Sequence, residues 1–140
     1  MTAGKNRPFE TPQQWLRYAQ GDLTVAQHEM QNQSPVYPTV CFLCQSAAEK
    51  FLKAFLISRG WPLEKTHDLV ELLGWCIDYD PELGSMAAEG ALLNEYIVAG
   101  RYPGDIASEQ IGAAEAKEAL EAAQRIRTQV VGEMNSKQDT

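Results

Sequence analysis

The chain has 140 residues, enough for one domain with a core of its own, and needs no metal or disulfide to hold it. Its net charge of −7 argues against a broad phosphate-binding surface, though not against a small basic pocket or a basic protein partner. No apolar run approaches the ~18 residues of a membrane span and no signal peptide is evident, so a cytoplasmic protein is expected.

Residues 1–11 show no period and read as a flexible arm. Thr11 followed by Pro12 reads as N-cap and first helical position. Trp15, Ala19, Leu23, Ala26 and Met30 then recur at helical steps, which predicts a first helix over about 12–32. Asp22 lies beside that stripe, and Lys50, Lys53 and Arg101 are its candidate partners if it is buried. Ser34, Pro35 and Pro38 mark the turn that follows.

The second helix, from Tyr37 to a stop at Gly60, is the centre of the pattern. Cys41, Cys44, Ala48, Phe51, Leu52, Phe55 and Leu56 form one apolar face, and Glu49 reaches Lys53 one turn on. At about 24 residues, roughly 36 Å, a helix this apolar must be surrounded by others. Cys41 and Cys44 have CxxC spacing, but the sequence offers no second pair and no βαβ context. They are expected to pack as small apolar groups, with no metal bound. Trp61, just past the stop, reads as a cap on the bundle or an aromatic at an interface.

A third helix opens at Thr66 or Asp68, and Asp68 with Glu71 has the spacing of a capping box. Leu69, Leu72, Leu73 and Cys76 carry its apolar stripe. Asp80-Pro81 opens a fourth helix that runs to Gly100, with small residues Ala87, Gly90 and Ala91 allowing close approach of a neighbour. Ser108 caps a fifth, which carries Ala116, Ala119, Leu120, Ala123, Arg127 and Val130 along one side. The expected domain is an all-α, five-helix up-and-down bundle over residues 12–132, with 133–140 as a flexible polar tail.

Two loops can carry chemistry. Lys65 and His67 stand at the start of the third helix, where free N–H groups and the helix dipole favour an anion. The competing reading makes Asp68 a cap and His67 a hydrogen-bonded surface residue. Arg101-Tyr102-Pro103 is a turn in which Pro103 holds Tyr102 extended, and the arginine suits bidentate phosphate recognition. Alternatively Arg101 caps the fourth helix and Tyr102 packs on the bundle.

In order, Trp15, Tyr18, Ala19, Asp22 and Leu23; Cys44, Gln45, Ala48, Glu49, Lys50, Lys53 and Ala54; Thr66-His67-Asp68-Leu69; and Arg101-Tyr102-Pro103 resemble the HEPN domain. That name denotes the nucleotide-binding domain of higher eukaryotes and prokaryotes. The resemblance covers roughly 12–131 and implies a helical bundle that forms a homodimer. It also implies a partner, a minimal nucleotidyltransferase, in a two-component system of toxin–antitoxin type. Many members are ribonucleases that use an arginine, four to six intervening residues and a histidine. Here Arg101 matches the arginine, but Ile106, Ala107 and Ser108 stand where the histidine should fall, and none can act as a base as imidazole does. The resemblance therefore implies a non-catalytic member that binds a nucleotide such as ATP without any other cofactor. Its binding residues are Lys53, Lys65, His67, Asp68, Arg101 and Tyr102, supported by Asp22 and Lys50. A ribonuclease that uses Arg101 with a displaced His67, RNA being the less favoured ligand, is the second reading. A structural interaction module whose loops only cap helices is the third.

Overall fold

The structure is a computed structural model that describes residues 11–97 and 110–138. Among the described residues five α-helices make an all-α bundle: α1 (Pro12–Met30), α2 (Tyr37–Ser58), α3 (Leu69–Tyr79), α4 (Ala87–Asn94) and α5 (Ala113–Gln138). A 3-10 helix, Pro81–Met86, joins α3 to α4. Among the described residues no helix is long and apolar enough to cross a membrane.

Helix α2 is the axis. It packs most extensively on α1 and α5, and also meets α3 and α4. Its burial extends beyond one apolar face to Gln45, Glu49 and Lys53. A Schellman turn ends it. Gly60 takes the left-handed conformation at φ 87°, Gly60 N donates to Ile57 O at 3.1 Å, and Trp61 N donates to Leu56 O at 3.0 Å. Trp61 then folds back into the core, its ring centroid 5.5 Å from that of Trp75. It is a cap on the bundle.

The N-terminal signals of α1 work as expected. Thr11 Oγ1 accepts from Gln14 N at 3.1 Å, and Pro12 follows it. At α3 the cap is Asp68, whose Oδ1 accepts from Val70 N and Glu71 N. Thr66 also takes part. Its hydroxyl accepts from Asp68 N at 3.2 Å and donates to Glu71 Oε1 at 2.9 Å, so a capping box is closed through an interposed threonine.

The expected long fourth helix is divided. Asp80 caps the first turn through Glu82 N, but the chain winds as a 3-10 helix as far as Met86. Gly84 and Ser85 are weak helix formers there, and Gly84 lies against Ile77 of α3. The α-helical part ends at Asn94, whose side chain is diverted to the start of α3. The small Gly90 serves contact within the chain, because a Cβ there would lie 3.2 Å from Leu73 Cδ2. Helix α5 begins at Ala113, where Glu115 Oε1 accepts from Gly112 N, and continues to Gln138, past the end at residue 132 expected from the sequence. Met134 is still in the core. The expected cap Ser108 and residues 1–10 of the expected arm lie outside the described residues.

Candidate functional site

Residues Gln45, Glu49 and Lys53 succeed one another every fourth position, so they form a single stripe along α2. The stripe is polar yet buried, which requires each group to be partnered. Lys53 Nζ lies 2.8 Å from Glu49 Oε2 and 5.5 Å from the ring centroid of Trp15 on α1. The other Glu49 oxygen, Oε1, is 2.9 Å from His67 Nδ1. Gln45 Nε2 completes the group with longer bonds to Glu49 Oε1 at 3.5 Å and His67 O at 3.4 Å.

Glu49 is therefore the hub between a buried ammonium and an imidazole. The imidazole side chain is 61% exposed, against 10% for the Glu49 side chain. With Nδ1–H donated to the carboxylate, Nε2 is left for solvent or a ligand: an acceptor in the neutral ring, a donor in the imidazolium. Lys53 and Glu49 cancel in charge, so protonation of His67 gives this cluster a net positive charge.

Each residue of the Thr66-His67-Asp68-Leu69 motif has a local task. Thr66 bridges the cap, His67 meets Glu49, Asp68 caps α3, and Leu69 is fully buried. Asn94 clamps the same turn, with Oδ1 accepting from Leu69 N at 2.8 Å and Nδ2 donating to Asp68 Oδ1 at 3.1 Å. This corrects one expectation. The first N–H groups of α3 do not face an anion, because Asn94 and Asp68 already accept from them.

A second polar contact lies on the adjacent face of α2, one position on from Gln45 and Glu49. Asp22 Oδ2 accepts from Lys50 Nζ and Ser46 Oγ, both at 2.7 Å, so among the described residues Lys50 is the candidate partner it takes. Lys65 is exposed and makes no ion pair among the described residues. Arg101 and Tyr102 lie outside the described residues. Of the expected binding residues, the structure thus joins His67 to Lys53 through Glu49 and sets Asp68 beside them as the cap. Glu49 and Gln45 are the members that motif reasoning left out of the site. Their signal was the four-residue spacing on a helix buried on most sides.

Concavities lie elsewhere. A groove of about 440 Å³ runs between the 3-10 helix, α4 and α5, with Met86, Glu89, Glu121 and Arg125 in its lining. It touches none of the expected site residues. The cysteines are core groups. Cys41, Cys44 and Cys76 are fully buried, and burial pushes the Cys41 thiol up to about 11, Cys76 to about 12, and Cys44 upward as well. A hydrogen bond from Tyr96 opposes part of the shift at Cys41. Such thiols are poor metal ligands and poor nucleophiles near neutrality.

The comparisons agree with this architecture. The sequence profile described as "HEPN domain" matches residues 12–134. The chain belongs to the HEPN domain family. Similar solved structures include TT1696 from Thermus thermophilus, at 27% identity and TM-score 0.69, covering 86% of this chain and 96% of that one. A second is ST0689, an archaeal HEPN homologue, at 24% identity and TM-score 0.71, covering 88% and 97%. The latter likeness bears on the fold alone. Among curated proteins none matches the sequence. Within this HEPN bundle the stripe of α2 and the turn before α3 form the best-connected polar site among the described residues.

Proposed function

We propose that this HEPN protein binds the phosphates of a nucleotide such as ATP at the His67 turn. In this reading it is the non-catalytic, homodimeric partner of a minimal nucleotidyltransferase in a toxin–antitoxin-like pair. The observation that carries the reading is the 2.9 Å contact between Glu49 Oε1 and His67 Nδ1. It holds an exposed imidazole in one orientation, so little rotamer freedom is lost when Nε2–H meets a phosphate oxygen. Lys65 adds charge from the same loop, and the resemblance of Arg101-Tyr102 to the family motif supplies the arginine. Lys53, neutralised by Glu49, acts as support by fixing the carboxylate.

The same contact favours one alternative. A histidine anchored at Nδ1 presents Nε2 as a general base, which is what a ribonuclease built on Arg101 and His67 would need. Calorimetry with each of the four nucleoside triphosphates, with and without the partner, tests the first reading. Arg101→Ala is expected to weaken binding about ten- to a hundredfold through loss of charge-assisted hydrogen bonds. His67→Ala is expected to weaken binding as well, since it removes the ring nitrogen that Glu49 orients toward the ligand. No heat with any nucleotide would remove the proposal. RNA cutting that His67→Ala abolishes would put the ribonuclease in its place.

A further inference from the structure

We propose that Asp80, Glu82 and Glu133 form a binding site for a hard divalent cation, with calcium the best-matched ion. The site shares no residue with the His67 turn. It joins the first turn of the 3-10 helix to the last part of α5.

The geometry comes first. One carboxylate oxygen from each residue lies within 4.8 Å of the other two. Two oxygens that share a calcium ion at about 2.4 Å stand at most about 4.8 Å apart, so each pair meets the condition for a shared ion, and small side-chain adjustments would close the three around it. Asp80 supplies the second, independent observation. It is only 5% exposed. Its Oδ1 accepts from Glu82 N at 3.2 Å, but its Oδ2 is buried with no hydrogen-bond partner. Such an oxygen in a native core calls for a missing donor or ion. Among the described residues no lysine or arginine pairs with any of the three carboxylates.

The electrostatics point the same way. Three carboxylates share this corner, and no cationic side chain among the described residues offsets them. Carboxylates crowded in this way are relieved by a cation. The donors are all carboxylate oxygens, which suit calcium, magnesium or manganese and not the softer zinc or copper. Burial is graded from Asp80, buried, through Glu133, intermediate, to Glu82, exposed. The open side leaves room for the waters that complete a flexible shell of six to eight oxygens, which favours calcium.

The full chain, stripped with EDTA, is titrated with calcium chloride and followed by calorimetry and thermal melting against potassium chloride of equal ionic strength. Calcium should raise the melting midpoint by a few degrees, because it binds the folded chain alone. Glu133→Gln should weaken calcium binding about tenfold or more. Asp80→Asn should do the same while its remaining oxygen keeps the cap on Glu82 N. Because Glu133 sits on a partly exposed helical face, its variant should fold even if Asp80→Asn does not. A midpoint in calcium equal to that in potassium overturns the proposal, and so does a calcium response that Glu133→Gln retains in full.

Discussion

Asp22 and Glu49 each pair with a lysine of α2, but they are not equivalent. The Asp22–Lys50 side chains are 21% and 27% exposed, while those of Glu49–Lys53 are 10% and 5% exposed. Water still shields the first pair, so Asp22→Asn should cost no more than about 1 kcal/mol. The second pair has little water to fall back on. Glu49→Gln would strand the Lys53 ammonium in the core and release His67, and should cost about 3–5 kcal/mol. Urea unfolding of the two variants checks the order. Equal midpoints would mean that Lys53 finds another partner or escapes to solvent. The Glu49–Lys53 spacing was legible in the sequence as a four-residue helical pair. Its burial was not, because that depends on α1 bringing Trp15 over Lys53. The link from Glu49 to His67 spans eighteen positions, and no local pattern encodes it.

Among the elements, α2 carries the core. Phe51 and Phe55 are its largest buried side chains, 1% and 0% exposed. Truncating either to Ala should cost about 3–5 kcal/mol, a large share of the 5–15 kcal/mol typical of a domain. Denaturant midpoints left unchanged in both variants would remove α2 from the centre. The long helices were legible because period and caps agree: Thr11-Pro12 opens α1, and Gly60 closes α2. The region after Asp80 was not, since Asp80-Pro81 signals a helix start without saying which helix type follows. There Gly84 and the packing on Ile77 favour the tighter 3-10 winding. The end of α5 was missed for a related reason. Its last turns are polar in sequence, yet Val130 and Met134 hold them to the core.

For the molecule as a whole, the open question is what the bundle leaves uncovered. Of the small residues of α4, Gly90 already accommodates Leu73 within the chain, while Ala87 and Ala91 are exposed. Helix α1 is a better candidate for a subunit contact. Tyr18 and Val25, seven positions apart and so on one face, are 47% and 54% exposed. Between them Gly21 has open space where a Cβ would stand, so a second helix could approach closely. Exposed apolar groups aligned along one helix mark interaction surfaces more often than isolated ones do. Membership of a family whose resemblance implies dimers points to a second copy of the chain. We therefore expect light scattering at micromolar concentration to give twice the 15.6 kDa chain mass. Val25→Glu should shift that mass toward the monomer, because a charge placed in an apolar contact loses its water without gaining a partner. Its stability as a monomer should change little, since Val25 makes no part of the core. A wild-type monomer would sink the dimer, and a Val25→Glu variant that still dimerises would exclude α1 as its face.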